Sequence, residues 1–485
     1  MLLTALARDF TIHGADRDVT SVTEDSRSVR SGGLFVAVRG TVQDGHTCIR
    51  DAVRRGAGAI VAEYAEGLPE SVAWVEVPDS RNALAILAAR FHGEPAGALQ
   101  LIGFTGTFGK TSTSEVLRSL LAAAGRRVGV LGSLGARYED FRDQGNGLTT
   151  PAPVELHRTL RGLRNAGADT AIMEVTSHAL RLRRIEGLTF TGGLLAAIRP
   201  GEHTDFHRTF DDYLATKRQF LDYLLPDATL AYDADNRGAR EIAASRTNGP
   251  TVSFSLDGRA ADLMFRETML DASGARFWIE GPLAAGRHHL RSALLGSGHI
   301  RNVALALTFA LASGVEPSTM SAVLGTLQPL PRRMERFEVA GRTVLDDTAA
   351  HSESFRAAFA VAGLLPHQRL IVVYAVRGNR GTDINTRNAA ALADLASEYV
   401  ADALILTTST DATADVDRVA REEVAAARAA LSKRGRAFDA CDTLREAVRR
   451  ALDRTAPGDL IMLLGAQGMN QGKAMLLDSA GVSPL

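Results

Sequence analysis

Thr105-Gly106-Thr107-Phe108-Gly109-Lys110-Thr111-Ser112 decides the reading of this chain. It follows the apolar run Leu99-Gln100-Leu101-Ile102-Gly103-Phe104, which has the composition of a buried strand, and precedes a stretch that reads as helix from near Thr113. A strand, a glycine turn and a helix in that order make a phosphate cradle. Glycines such as Gly109 let backbone amides converge on phosphate oxygens, and the helix N-terminus adds partial positive charge. Lys110 can span the terminal phosphates, and the Thr111 hydroxyl can ligate magnesium, with Thr107 and Ser112 completing the turn. The string is not a strict Walker A sequence, because Phe104 stands six positions before Lys110 and the glycine, Gly103, lies next to it. An ordinary strand-to-helix turn is the competing reading, and the agreement of strand, turn, Lys-Thr pair and helix weighs against it.

Around this string the chain is long for one hydrophobic core. Its 485 residues suggest about three domains. We place the boundaries at residues 1–97, 98–330 and 331–485. Lysine plus arginine (55) nearly balances aspartate plus glutamate (56), so no nucleic-acid footprint is present. The N-terminus lacks a basic start with a following apolar stretch, and no window approaches the ~20 apolar residues of a membrane span. A cytoplasmic protein with no membrane partner is expected. The two cysteines, Cys48 and Cys441, are far apart and lack metal-ligand spacing, so both should be reduced thiols.

Residues 20–95 alternate apolar runs (Leu34–Val38, Ala59–Ala62, Ala73–Val77) with helical stretches such as Cys48–Arg55, which predicts a small α/β domain. The central domain continues through the strand runs Thr170–Val175 and Gly193–Ile198 to a helix around Asn302–Ser313. The third has strand runs at Arg369–Tyr374, Ala403–Thr407 and Leu460–Leu464, separated by alanine- and arginine-rich helices such as Val416–Leu431. The fold class is therefore α/β throughout. A small N-terminal domain precedes a central P-loop ATPase-type parallel sheet and a Rossmann-like C-terminal domain.

Carboxylates at strand C-termini face the ligand crevice of a parallel sheet. Glu174 ends one such run and is followed by Val175-Thr176-Ser177-His178. The next strand leads into Arg199-Pro200-Gly201-Glu202-His203-Thr204-Asp205-Phe206-His207. Glu174 and His203 are thus candidates to hold a second magnesium, which clustered phosphates need for charge compensation. Each alone is more often a capping or surface group; their shared position at strand ends is the argument.

These residues together resemble the Mur ligase family, and within it the branch of UDP-N-acetylmuramoyl-tripeptide synthetases, which add the third residue of the bacterial wall peptide. The resemblance extends over nearly the whole chain. It rests on Asp25-Ser26-Arg27-Ser28-Val29, Gly33–Ala37 and Asp44-Gly45-His46 in the first domain. In the second it rests on the phosphate loop, Leu148-Thr149-Thr150-Pro151, Glu174–Leu180 and Tyr213-Leu214-Ala215-Thr216-Lys217.

The resemblance implies an ATP-dependent, ADP-forming acid–amino-acid ligase with ATP and Mg2+ as cofactors and small-molecule substrates. Ser26, Arg27, His46, Thr149, Thr150 and Thr176 would hold the uridine-linked acceptor. Lys217 would be the lysine that family members carbamylate, supporting the second magnesium beside Thr111, Glu174 and His203. Asn302 looks like the adenine-side asparagine, Arg333 like the hinge arginine that reaches the phosphates, and Asp347 like the ribose-holding aspartate. His178 or His207 would assist the incoming amine. Closure of the third domain would exclude water from an acyl phosphate intermediate.

Residues 376–384 and 407–413, with Arg380 and Asp411, would line the amine pocket. Here the chain departs from the diaminopimelate-adding pattern. Its Asp-Asn-Pro-Arg segment is replaced by Thr407-Thr408-Ser409-Thr410-Asp411-Ala412, and its late Lys-Gly-His-Glu segment by Gly465-Ala466-Gln467-Gly468-Met469-Asn470. A forked guanidinium is not replaced by threonine, so the sequence reading disfavours meso-diaminopimelate as the amine. Val376–Ile384 is weakly similar to the ligase half of cyanophycin synthetase, which leaves a specialised peptide ligase as an alternative. A catalytically silent nucleotide-binding scaffold is a second alternative.

Overall fold

The computed structural model describes residues 1–40, 43–64, 66, 68, 72–200 and 206–482. Three α/β sheets carry the chain, as the apolar runs predict. The N-terminal sheet has five strands. From one edge they are Thr11–His13, Ala73–Glu76, Ala57–Ala62, Gly33–Val36 and Val22–Thr23, and all but the first run parallel.

In the central sheet the Gln100–Thr105 strand is flanked by two parallel neighbours, Thr170–Glu174 on one side and Phe190–Leu195 on the other. Glu174 pairs in register with Phe104, and Leu195 with Thr105. This register sets the site, because three strand ends come level at the carboxyl edge, where a parallel sheet exposes unpaired backbone groups to a ligand. Beyond Thr170–Glu174 the sheet continues with Val128–Gly132 and a short antiparallel meander, Gly135–Tyr138 and Phe141–Asp143. On the other side follow Leu224–Asp233 and Thr251–Ser255. The flanking Lys110–Ala123 helix buries Val116, Leu117, Leu120 and Leu121, each such side chain stabilising by ~1.5–3 kcal/mol.

The stretch from Phe210 to Leu224 changes form along its length. In the structure it is an α-helix only over Phe210–Arg218, then a tight turn over Gln219–Tyr223, and Leu224 opens a ten-residue strand. Extended pairing with Phe190–Leu195 overrides local helix preference there. The predicted Val416–Leu431 helix likewise starts later, at Arg421. A 3-10 turn at Asp415–Asp417 precedes it, and Glu423 turns back to accept from the Ala420 amide at 3.0 Å.

The chain divides into two compact units. The first holds the N-terminal sheet and most of the central domain; the second comprises 267–278, 289–301 and 324–485. The second unit's sheet runs Glu335–Val339, Arg342–Asp347, Leu460–Leu464, Leu370–Ala375, Ala403–Thr407, Asp439–Cys441. Only the first pair is antiparallel. Apolar residues fill both faces of its central strands, which explains why those strands read as unbroken hydrophobic runs. Among the described residues no helix is long and apolar enough to cross a membrane.

Inside the first unit the Ser80–Phe91 helix packs on Pro153–Asn165, and His92 and His157 lie at that seam. Neither ring nitrogen of either histidine has a hydrogen-bond partner. Burial pushes both down to about 4, with Arg161 and Arg158 adding to the effect on His92, and His92 to that on His157. A histidine kept neutral by the fold contributes stability above its unfolded value near 6.5 and loses it as pH falls toward the folded value. For His157, only 1% exposed, the loss between pH 8 and pH 5 is about 2 kcal/mol. Urea unfolding of the wild type should show that loss, and His157→Leu should flatten it. An identical pH slope in the variant would remove His157 from the account.

Candidate active site: the phosphate loop and the carboxyl edge of the central sheet

The Lys110–Ala123 helix begins at Lys110, three residues earlier than the sequence reading placed it. Lys110, Thr111 and Ser112 therefore occupy the first turn, where backbone N–H groups lack intrahelical partners and the helix dipole is positive. Gly109 stands at φ +83° as the residue before the helix. A Cβ built on it would fall 2.2 Å from Asn302 Oδ1. Glycine here lets the Asn302 amide lie against the phosphate loop, so the structure places Asn302 beside the loop.

Lys110 Nζ donates to the carbonyls of Gly106 (3.0 Å) and Thr107 (3.2 Å). Lys217, on the Phe210–Arg218 helix and only 1% exposed, donates to Thr105 Oγ1 at 2.9 Å and to the same Gly106 carbonyl at 3.3 Å. Two amines thus converge on one carbonyl oxygen. Burial drives the Lys217 ammonium well below its ordinary range, and the Lys110 charge adds to it. Tyr213 closes this corner, with its hydroxyl 3.1 Å from Thr107 Oγ1 and its ring 5.5 Å from Lys217 Nζ. The Arg199 amide also donates to Thr107 Oγ1, at 3.0 Å.

Glu174 sits where the register predicts, 1% exposed at the strand end. Its Oε1 accepts from the Ser133 amide and its Oε2 from the Ser133 hydroxyl, both at 3.1 Å. A Cβ on Gly132 would fall 2.1 Å from Glu174 Oε1, so this glycine makes room for the carboxylate. Sequence reasoning missed Ser133, although it follows the apolar run Val128–Gly132 and the strand-end rule applied to Glu174 would have found it. The Glu174 carboxylate and the Thr111 hydroxyl are hard oxygen donors of the kind magnesium takes. Among the described residues no group of three or more His, Cys, Asp or Glu side chains forms. Magnesium shared with nucleotide phosphates takes only one or two protein carboxylates, so the donor set fits. His203, the other candidate ligand, falls outside the described residues, together with Glu202 and Asp205.

His178 stacks on Phe206 with centroids 4.0 Å apart, and His207 meets both rings edge-on. Burial lowers the His207 imidazole, opposed by Asp212 at 3.4 Å. On the acceptor side, Thr149 Oγ1 lies 3.0 Å from Ser133 Oγ, which links it to Glu174. Thr150 is fully buried, donating to the Glu174 carbonyl at 2.9 Å and lying 3.2 Å from Thr176 Oγ1. Thr176 in turn caps the Ser177–Arg181 helix. The Thr150 hydroxyl, expected on the acceptor side, is inside the fold and positions the strand end. Arg184, which sequence reading passed over, donates to the Thr150 carbonyl at 2.9 Å.

In the N-terminal sheet domain both His46 nitrogens are engaged, Nδ1 with Asp44 Oδ1 at 2.7 Å and Nε2 accepting from the Glu63 amide at 3.1 Å. The exposed face of this corner is the Tyr64 ring stacked on His46 at 4.2 Å. Ser26 is buried, and the exposed Arg27 guanidinium pairs with Asp25 at 2.8 Å.

In the second unit Asp347 is buried, accepts from the Met334 amide at 2.8 Å, and is pushed up to about 6 by desolvation. Arg333 donates to Thr348 Oγ1 at 2.8 Å. Asp411 accepts from the amides of Leu444 (2.7 Å) and Arg445 (3.2 Å), so its carboxylate is committed to a helix start. Arg380 lies in a loop whose amides at Asn379, Arg380 and Gly381 all donate to the Glu423 carboxylate.

A phosphate cradle, a strand-end carboxylate and a buried lysine on an α/β scaffold define an ATP-dependent ligase class that activates a carboxylate. Family models agree segment by segment: Mur ligase family, catalytic domain over residues 18–92; Mur ligase middle domain over 104–310; Mur ligase, glutamate ligase domain over 332–467. The "UDP-N-acetylmuramoyl-L-alanyl-D-glutamate--2,6-diaminopimelate ligase" of Geobacter metallireducens is 33% identical over 462 residues, covering 91% of this chain and 88% of that one. That of Chlorobaculum tepidum is 32% identical, covering 93% and 88%. Among solved structures, MurF from Acinetobacter baumannii superimposes with a TM-score of 0.71 at 21% identity, covering 99% of each chain. The chain belongs to the Mur ligase family, the ATP-dependent, ADP-forming acid–amino-acid ligases.

One expectation is overturned. The sequence reading set aside meso-diaminopimelate, yet eight relatives at 27–33% identity over most of the chain carry the name of the diaminopimelate-adding ligase. Departures in two segments, Thr407–Ala412 and Gly465–Asn470, do not decide a pocket assembled from several, and the inference drawn from them was too narrow.

Proposed function

We propose that this chain joins 2,6-diaminopimelate to a carboxylate of UDP-N-acetylmuramoyl-L-alanyl-D-glutamate with hydrolysis of ATP to ADP, adding the third residue of a wall peptide. The observation that carries it is Lys110 in the first turn of a helix at the same sheet edge as Glu174, within a chain whose relatives bear that name.

The acceptor carboxylate attacks the γ-phosphorus in line; a C–O–P bond forms, the bond to ADP breaks, and an acyl phosphate results. Lys110 and the first-turn amides spread the developing negative charge. Magnesium, when bound, screens the phosphate oxygens; Glu174, Thr111 and His203 would hold it. The neutral amine of the amino acid then adds to the acyl carbon, forming the C–N bond, loses a proton, and phosphate departs as the carbonyl re-forms. His178, stacked against Phe206, or His207 beside it takes that proton in this reading. Arg333 and Asp347 serve the nucleotide's phosphates and ribose, and Arg380 with the turn at Gly465–Asn470 serves the amino acid. Lys217 as its carbamate supplies an anion beneath the loop.

The test is ADP release by the purified full chain against a matrix of acceptors and amino acids. Release that needs both the uridine-linked dipeptide and diaminopimelate is expected. Release with another amino acid and none with diaminopimelate would overturn the assignment of the amine.

A further inference from the structure

Arg332 has a conformation and a set of contacts that the proposed chemistry does not use. Its backbone lies at φ +58°, a region arginine rarely enters and keeps only where its surroundings fix it. The surroundings do so. Its amide donates to Glu335 Oε2 at 2.9 Å, and its carbonyl accepts from the Thr348 amide and from Arg333 Nη1, both at 3.1 Å. Glu335 is itself held by Lys473 Nζ at 2.5 Å.

The side chain is 11% exposed in spite of its charge. Nε donates to Asp346 Oδ1 at 3.3 Å; Nη1 donates to the Ala466 carbonyl at 2.9 Å and to Asn470 Oδ1; Nη2 donates to the Gly465 carbonyl. One guanidinium therefore joins the turn that carries Arg333, the strand end that carries Asp346 and Asp347, and the Gly465–Asn470 turn. The two strands concerned, Arg342–Asp347 and Leu460–Leu464, are parallel neighbours with Asp347 level with Leu464. The bridge thus spans the carboxyl edge, where ligands bind in such sheets. With its donors already engaged, Arg332 has little left to offer a substrate. Lysine, a single point donor, cannot span the same fork.

We propose that Arg332 is a positioning residue that locks the Gly465–Asn470 turn to the Arg333–Asp347 segment, so that the nucleotide-side and amine-side groups of this unit are held in one geometry. The inference rests on the functional reading for the roles of Arg333, Asp347 and that turn. Misplacing such groups by a fraction of an ångström costs binding and rate without any lost contact to substrate.

The experiment compares Arg332→Ala and Arg332→Lys with Arg369→Ala in the full chain. Arg369 pairs with Asp459 at 2.6 Å where the same sheet's parallel strands begin, so its loss reports on stability alone. Two readouts are taken: affinity for a non-hydrolysable ATP analogue by titration, and KM for the amino acid. Both should weaken by about 10-fold or more in the Arg332 variants and stay at wild-type values in Arg369→Ala, whatever the change in Tm. If Arg332→Ala fails to fold, Arg332→Lys carries the comparison. Unchanged analogue affinity and unchanged KM in a folded Arg332 variant overturn the proposal, as does an equal shift in Arg369→Ala. If the wild type releases no ADP with diaminopimelate, the functional reading falls, and the analogue titration still decides the role of Arg332.

Discussion

Lys110→Ala is expected to lower acceptor- and amine-dependent ADP release by at least about 10³-fold, with the fold intact. The ammonium donates to two loop carbonyls, Gly106 and Thr107, and is only partly buried. Loss of those two hydrogen bonds, which water can replace, costs the folded state about 1–2 kcal/mol. In the transition state the same group faces charge spread over the transferring phosphoryl oxygens in a site from which water is excluded, where one donor is worth several times as much. Circular dichroism and Tm, against single-turnover rates, separate the two. A variant that keeps its fold and more than a tenth of wild-type turnover would remove the phosphate role from Lys110. A second consequence is specific to this geometry. Lys110 lowers the basicity of Lys217 by charge repulsion, so the alanine variant should hold Lys217 more firmly as its ammonium.

The central site was readable in the sequence because its parts are local or obey one register rule. The phosphate loop is contiguous from Thr105 to Ser112, and Glu174 ends a run of apolar residues that can only be a buried strand. Ser133 obeys the same rule and went unnoticed, because Val128–Gly132 was not read as a strand. Partners brought in across the fold, such as Asn302 and Lys217, were named only through the resemblance, and the residues themselves did not show which contacts they make. Asn302 is distant in sequence from the Gly109 it abuts, and Arg184 reaches the Thr150 backbone from the turn after the Ser177–Arg181 helix. Thr150 and Asp411 show what residue type alone does not tell. Both residue types suit a ligand, but burial and a helix start claim their polar atoms first. The antiparallel strands were missed for a physical reason as well. Segments such as Glu335–Val339 have one face exposed and read as mixed polarity, whereas Leu460–Leu464, buried on both faces, announces itself.

Lys217→Arg is expected to cost about 10²-fold or more in turnover with little change in nucleotide-analogue affinity, and the reason lies in the protonation of a buried amine. Lys217 is 1% exposed, hydrogen-bonded among the described residues to one hydroxyl and one shared carbonyl, and close to a second ammonium. No carboxylate compensates it among those contacts. Desolvation therefore disfavours the ammonium relative to the neutral amine, and the amine is the form that attacks carbon dioxide. Bond formation between Nζ and that carbon releases one proton and leaves an anionic carbamate in place of a cation, and the nearby Lys110 ammonium stabilises the product as firmly as it destabilised the starting ammonium. Arginine cannot follow this course, since its guanidinium stays protonated at any pH the fold survives. The check is direct. In 13C-bicarbonate the wild type should give a carbamate signal that Lys217→Arg lacks, and turnover should fall when carbon dioxide is stripped and return on adding bicarbonate. Full activity in carbon dioxide-free buffer with no carbamate signal would show that the buried amine acts in its own right, and the anion beneath the phosphate loop would have to be struck from the mechanism.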